Sequence, residues 1–267
     1  MTSIKNLQNL SGRRTIITGA TGGIGAEMAD TLAELGSDLI LVDRPGTKLK
    51  KLEKELSNKW LVEVVSYECD LENENERFDM VSKIKNSKTN INCLINNAAF
   101  LGDGNFSGWA VPFQEQSIET WRRAFEVNLT AAFHLCQMLT PLLEISKGGN
   151  IINITSIYGR QGPDWSLYEE SSMGNPAAYG SSKGGLEQLT RWLSTTLAPN
   201  IRVNAIAPGG VYRNQSKHFI EKYEARTPLK RMAVEEDFRG AVAFLSSDMS
   251  KYVTGQILFV DGGWGAW

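Results

Sequence analysis

Thr15-Ile16-Ile17-Thr18-Gly19-Ala20-Thr21-Gly22-Gly23-Ile24-Gly25 is the stretch from which the fold is read. Its first four residues are all β-branched, as expected of a short buried strand. The glycines that follow let the backbone turn sharply and come close to a bound group. From Ala26 to Leu35, Met28, Leu32 and Leu35 fall on one helical face, whereas Glu27, Asp30, Thr31 and Glu34 fall on the other. Gly36 is placed to end that helix. Strand, glycine loop and helix in this order form an anion site, because the free amides and dipole at the helix start meet a pyrophosphate. A dinucleotide-binding unit is therefore expected here.

Working outward, apolar β-branched runs alternate with helical-period segments along the rest of the chain. Strands are expected at residues 15–18, 38–42, 62–67, 93–95, 150–155, 202–206 and 257–260. The pattern predicts an α/β fold, a single-domain Rossmann-type doubly wound parallel sheet of about seven strands with helices on both faces. Leu186, Leu189, Leu193 and Leu197 recur at helical spacing; Asn175 is the expected N-cap, Pro176 the first helical residue, and Pro199 follows. No Gly/Ser linker or internal repeat divides the chain, so residues 1–267 are read as one dinucleotide-binding and catalytic domain. Residues 157–178 form a substrate-loop elaboration and residues around 210–232 a lid-like segment.

Composition excludes several function classes. The formal net charge is −2, and Lys48, Lys50, Lys51 and Lys54 are interleaved with Glu53 and Glu55, a solvated helix face rather than a nucleic-acid footprint. Cys69, Cys93 and Cys136 lack metal-ligand spacing and only His134 and His218 could join them, so neither a disulfide scaffold nor a metal site is expected. Residues 1–11 lack a signal-peptide core, and no run approaches the roughly 20 apolar residues that cross a bilayer. No membrane association and a cytoplasmic location are expected.

Asp43 ends the second strand, where a carboxylate would accept the adenosine ribose hydroxyls and repel a 2′-phosphate. That favours NAD over NADP, with Arg44 next door the one residue able to reach such a phosphate. Asp70, ending the third strand, could bond the adenine amine or simply hold a turn.

With these residues in view the chain resembles the short-chain dehydrogenase/reductase family from about Arg14 to Gly263. Its glycine loop fits both TGxxxGxG and TGxxGxxG spacings. Asn96-Asn97-Ala98-Ala99, Pro208-Gly209 and Asp261-Gly262-Gly263 match the short single-domain branch, and Tyr179-Gly180-Ser181-Ser182-Lys183 matches its Tyr-x-x-x-Lys signature. The resemblance implies a catalytic tetrad of Asn128, Ser156, Tyr179 and Lys183. It further implies cofactor contacts at Gly19, Thr21, Gly23, Ile24, Gly25, Asp43, Arg44, Asp70 and Leu71. Others are implied at Asn97, Ala98, Ala99, Tyr179, Lys183, Pro208, Gly209 and Val211.

These residue types suit movement of a hydride between a nicotinamide and a carbonyl or secondary alcohol. Negative charge develops on the substrate oxygen, so a proton donor poised near the working pH is required. Lys183, one helical turn from Tyr179, would favour the phenolate; lowering a phenol from about 10 to about 7 represents roughly 4 kcal/mol. Ser156 would steady the oxygen, and the resemblance implies that Asn128 fixes a water through its carbonyl. Singly, the four read as a core tyrosine, a snorkelling lysine, a strand-end serine and a helix-interrupting asparagine.

Ser156 and Tyr179 stand 23 positions apart, where about a dozen is common in the family. The intervening Tyr158, Arg160, Asp164, Trp165, Tyr168, Glu169 and Glu170 suit a wall that stacks on an apolar face and bonds hydroxyls. A small-molecule, sugar-like substrate is expected, in keeping with a resemblance of this run to a subgroup associated with flagellin modification and surface-sugar synthesis. Arg213 stands where the family usually has a threonine and could bind an anionic substrate group. Trp264 and Trp267 suggest burial against another subunit, in a homotetramer or homodimer, and His134 reads as packed or interfacial. Two alternatives remain open: a cofactor-binding regulatory or scaffold protein without turnover, and a sugar epimerase or dehydratase that retains NAD.

Overall fold

The computed structural model describes residues 2–87, 89–102, 106–146, 148–169 and 173–267; Glu170 lies outside them. The first half runs α1 (Ile4–Leu7), β1 (Arg14–Thr18), α2 (Gly23–Glu34), β2 (Asp38–Asp43), α3 (Leu49–Trp60), β3 (Val64–Glu68), α4 (Glu74–Asn86) and β4 (Cys93–Asn96). The second runs α5 (Ile118–Phe125), α6 (Ala131–Ile145), β5 (Gly149–Ile154), α7 (Ala177–Thr196), β6 (Ile201–Pro208), α8 (Lys217–Arg226), α9 (Arg239–Ser246) and β7 (Ile257–Val260). These strands form one parallel sheet in the order β3-β2-β1-β4-β5-β6-β7. Every expected strand is present, with ends moved by at most two residues.

Strand side chains alternate between faces, so a sheet covered on both sides needs continuous apolar runs. Ile16, Ile40, Leu94 and Ile151 pack beneath α4, α6 and α7. Their neighbours Ile17, Leu39, Leu41, Ile95 and Ile152 pack beneath α2, α3 and α9. Burial of both faces outweighs the weak propensity differences among these residues, which is why the strands are legible from apolar runs alone. β1 pairs with β2 on one side and β4 on the other, so the winding reverses between β1 and β4. Such a reversal places a crevice at the carboxyl ends of those strands, the usual ligand position in sheets of this kind.

The start of α7 differs from expectation. Pro176 has an extended backbone (φ −65°, ψ 138°) and occupies the N-cap position, with the helix beginning at Ala177. Proline offers no capping side chain, and the Ala177 N–H instead donates to Gln116 Oε1 at 3.0 Å. Asn175, outside the helix, donates its amide to the Tyr168 hydroxyl at 3.4 Å.

A satellite core sits beyond the carboxyl end of the sheet. Leu167 of the 157–178 segment, Phe219 and Tyr223 of α8, and Trp264 of the tail are buried together. The rings of Trp165, Tyr168, Phe219, Tyr223 and Trp264 form a ladder, closed by Tyr223 and Trp264 stacking at 4.3 Å and 12°. Lys222 pairs with Glu169 at 2.8 Å, and Arg226 pairs with Asp164. Residues 164–169 of the 157–178 segment are thus docked onto α8, within the same region that was expected to act as a lid. Trp264 corrects an expectation: its own chain buries it to 2% exposure, while Trp267 is 73% exposed. A flat indole beside Tyr223 finds a partner ring at the chain end without a second subunit. Among the described residues, no helix is long and apolar enough to cross a membrane.

Trp264→Ala should cost about 3 kcal/mol or more in urea unfolding, the usual loss for a buried Trp. Trp267→Ala should change stability by less than about 0.5 kcal/mol.

Candidate active site

The glycine loop turns directly off β1 and is held from behind by β4. Gly19 has φ +62°, and a Cβ there would stand 2.8 Å from Ala98 Cα, so glycine is required on both counts. A Cβ on Gly25 would collide with the Gly19 carbonyl oxygen and stand 2.7 Å from Asn97 Nδ2. One on Gly22 would meet only the Gly19 carbonyl, at 3.4 Å. Of the two spacings the loop fits, steric demand from the backbone therefore falls on Gly19 and Gly25, which both share, whereas a Cβ on Gly23 would meet side-chain ends and one on Gly22 makes no close contact.

Asn97 Nδ2 donates to the carbonyls of Thr18 (3.0 Å) and Gly19 (2.9 Å). Its backbone N–H and that of Ala98 both donate to Thr18 Oγ1, at 3.0 and 3.1 Å. Thr18 is a clamp residue that sequence reading gave no role, although it is the threonine of both loop spacings. At the far end of the loop, Asp43 Oδ2 accepts from the Thr21 N–H (2.8 Å) and hydroxyl (2.6 Å), and Oδ1 from the Arg44 N–H (2.8 Å). Arg44 itself is exposed. Asp70 is also exposed and accepts the Glu72 N–H in the turn after β3, while Leu71 beside it is buried.

α2 begins at this loop with Gly22 as its N-cap, no side-chain cap and no acidic residue in its first turn. Its opening amides are therefore available to an anion. Across the crevice, Pro208 ends β6 and the Gly209 N–H donates to Val260 O at 3.0 Å. Val211 then bridges to Ala233.

The four tetrad positions converge beside this crevice from three elements. Ser156 lies just past β5, and its hydroxyl accepts the Tyr158 N–H at 3.2 Å. Tyr179 and Lys183 lie one turn apart on α7, with Lys183 Nζ 5.9 Å from the Tyr179 ring centre. Asn128 sits within a π-helical turn (Glu126–Thr130) joining α5 to α6. Such turns break the i→i−4 ladder and mark functional positions, in keeping with a helix-interrupting asparagine. Its side chain accepts the Phe100 N–H (2.6 Å) and donates to Ser182 Oγ (3.0 Å), and Ser182 in turn donates to the Tyr179 carbonyl (2.9 Å). Ser182 is another residue not singled out from sequence, although it stands on the same signature.

The expected acidity of Tyr179 is not realised in this structure. Burial raises its phenol above the ordinary value, and a hydrogen bond with Ser156 opposes the rise. Lys183, 2% exposed, is lowered to about 8 by burial. Its ammonium donates to the Ile154 carbonyl at 2.7 Å. Burial penalises the charged form of each group, which raises the phenol and lowers the ammonium.

A cleft of about 800 Å³ opens beside the tetrad and is lined by Tyr158, Gln161, Trp165, Tyr168, Asn175 and Gln116 among others. The hydroxyls of Tyr158 and Tyr168 are 2.9 Å apart. Tyr158, Trp165 and Tyr168 are thus brought together as expected. Arg213 lies apart from this cleft, paired with Glu235 at 2.7 Å. His134 Nδ1 accepts from Arg77 Nε at 3.2 Å, a packing role between α4 and α6.

Residues 19–265 match the family described as enoyl-(acyl carrier protein) reductase. A 3-oxoacyl-acyl-carrier-protein reductase from Aquifex aeolicus is 31% identical over 259 residues, 95% of this chain and 98% of that one. The chain belongs to the short-chain dehydrogenase/reductase family. Another relative of this dehydrogenase/reductase is the post-translational flagellin modification protein A of Campylobacter coli, 31% identical over 258 residues, 96% of this chain and 99% of that one. Among solved structures, a gluconate 5-dehydrogenase from Beutenbergia cavernae, described as putative and NAD(P)-dependent, with NADP bound at low occupancy, superposes with a TM-score of 0.86. It is 30% identical and covers 98% of this chain, which covers 100% of it.

NAD(P) is the cofactor of short-chain dehydrogenase/reductases, and the crevice fits it: the loop is packed where a Cβ would intrude, and α2 opens without a cap. Gly25→Ala should therefore raise the dissociation constant for NAD at least ten-fold in calorimetry, whereas Gly22→Ala should change it by less than about three-fold.

Proposed function

We propose that this short-chain dehydrogenase/reductase interconverts a secondary alcohol and a ketone on a polyhydroxylated, sugar-like substrate, with NAD as hydride partner. The observation that carries the reading is Tyr179 one turn from buried Lys183 on α7, with the Lys183 ammonium 5.9 Å from the phenol ring centre and held to the end of β5 by the Ile154 carbonyl, two residues before Ser156.

In this reading Gly19, Thr21, Gly23, Ile24 and Gly25 would hold the pyrophosphate side of NAD. Asp43 would hold the adenosine ribose, with Leu71, Asn97, Ala98 and Ala99 along the crevice and Pro208, Gly209 and Val211 towards the nicotinamide. Bound NAD(H) supplies or accepts the hydride. Ser156 holds the substrate oxygen, and its hydroxyl steadies the charge that develops there. The phenolic proton of Tyr179 passes to that oxygen in reduction and is recovered from the alcohol in oxidation. Lys183 keeps a cation next to the phenol and would bond the nicotinamide ribose. Asn128 positions α7 through Ser182, and so the level of Tyr179 against the cleft.

Asp43 supports NAD over NADP, since its charge sits at the ribose end of the loop and a 2′-phosphate would have to approach it. Trp165 offers a stacking face, and Tyr158, Tyr168 and Asn175 offer adjacent polar groups, an arrangement suited to a sugar. The printed name of one solved relative, the gluconate 5-dehydrogenase described as putative, refers to a polyhydroxylated compound and supports that class of substrate. Exposed Phe133 on α6 and Trp192 on α7 support an oligomer formed through those helices.

Assay of a panel of polyols, sugars and nucleotide sugars should give stoichiometric NADH with at least one. Tyr179→Phe should lower kcat at least 10³-fold while the NAD dissociation constant stays within two-fold. Because the Tyr179 phenol is raised, oxidation should quicken as pH rises through the alkaline range, and reduction should not. Dinucleotide binding without turnover, or epimerisation without released NADH, would overturn the reading, as would tighter binding of NADP than of NAD.

A further inference from the structure

The parallel bridge between Val211 and Ala233 sets the register of two segments that meet over the glycine loop. Tyr212 N–H donates to the Ala233 carbonyl (2.9 Å), and the Ala233 N–H to the Gly210 carbonyl (3.0 Å). Two residues further along each segment stand Arg213 and Glu235, so the bridge brings them side by side. Arg213 Nη1 lies 2.7 Å from Glu235 Oε1.

Their position gives the pair a consequence. A Cβ built on Gly23, the first residue of α2, would collide with Glu235 Oε1 and stand 2.7 Å from Arg213 Nη2. The crowding comes from the far ends of two flexible side chains and not from backbone. A helix start with no cap and no acidic residue of its own therefore has a carboxylate lying against its first residue, delivered from more than two hundred residues away. That carboxylate sits where the amides and dipole of α2 favour negative charge, and a guanidinium lies beside it.

The backbones around the pair are tied down by hydrogen bonds and by a buried anchor. The Arg213 N–H donates to Gln215 Oε1 (2.7 Å), and Gln215 Nε2 to the Val211 carbonyl (2.8 Å). Glu235 opens a one-turn 3₁₀ helix whose Phe238 is fully buried and whose Asp237 accepts two bonds from Arg231. Arg213 and Glu235 are 46% and 31% exposed, so their attraction is screened and breaks at modest cost.

We propose that Glu235 is a built-in competitor for the dinucleotide diphosphate. Its carboxylate holds the anion position at the start of α2 until the diphosphate displaces it, and Arg213 then exchanges its carboxylate partner for the diphosphate. Arg213, which sequence reading assigned to an anionic substrate, thereby becomes a cofactor-side cation. The inference rests on the proposed dinucleotide binding. It adds that affinity is set by an internal ion pair, so binding depends on ionic strength through Arg213.

Calorimetry with NAD and with ADP-ribose, which carries the diphosphate but no nicotinamide, separates the possibilities. Glu235→Gln should tighten both ligands by about two- to five-fold, the range open to a partly exposed ion pair. Arg213→Gln should weaken both by about ten-fold and flatten the dependence of the dissociation constant on salt. Melting temperatures within two degrees of the unaltered protein would show that the substitutions act on binding and not on folding. Ligand binding that neither substitution changes, or that Glu235→Gln weakens, would overturn the inference and leave the proposed function standing. If Arg213→Gln raised only the KM of an anionic substrate, the sequence reading would be restored and this inference overturned. Absence of dinucleotide binding by the unaltered protein would overturn both.

Discussion

The ammonium of Lys183 is buried to 2% exposure and donates to the carbonyl of Ile154, the last residue of β5. A buried cation with so little polar company is costly, and its pKa falls to about 8 as a result. The rest of the site follows from keeping that bond. It requires α7 to lie close over the end of β5, and the sequence between Tyr179 and Leu186 supplies the means. A Cβ on Gly184 would stand 2.9 Å from the Gly159 carbonyl oxygen, and one on Gly185 2.8 Å from Leu129. From the other side, a Cβ on Gly159 would stand 3.0 Å from the Lys183 carbonyl. Glycine inside a helix costs about 1 kcal/mol each relative to alanine. Here that cost is offset by an approach that puts Tyr179 against Ser156 and Lys183 against the strand end.

Buried polar groups behind the site make the same connection at greater depth. Asn96 on β4 donates to Asn153 on β5 (2.9 Å), and Asn153 donates to Thr190 on α7 (2.9 Å). Asn128 continues the pattern through Ser182. Each of these amides would be expensive if left unpaired, so together they hold one alignment of β4, β5 and α7 against sliding alternatives. The crevice above β1 and β4 and the cleft beside α7 are thereby fixed relative to each other. A hydride donor and a proton donor need that relation, since both must reach the same carbonyl.

Much of this was legible in the chain. Strands buried on both faces announce themselves as apolar β-branched runs, so all seven were found. Gly19 and Gly25 were legible because positive φ and close approach leave glycine no substitute. Pro176 was placed one residue too far into α7, because proline's φ suits both an N-cap and a first turn, and only ψ separates them. Trp264 was read as interfacial because nothing in a linear tail shows that α8 will fold back beneath it. The acidity of Tyr179 was misjudged for a related reason: spacing reveals that Lys183 is near, but not that both groups are desolvated. Arg213 and Glu235 are brought together by a bridge between remote segments, and local pattern carries no trace of it.

The burial of Lys183 is the claim on which the account stands, and its own titration tests it most directly. With lysine side chains labelled at Cε, carbon NMR of the protein without cofactor should show one resonance titrating near pH 8 that is missing in Lys183→Met. A Lys183 resonance titrating instead near about 10.4, the value of a free lysine, would mean that its ammonium is solvated, that α7 does not lie closed on β5, and that the described placement of Tyr179 against Ser156 is wrong.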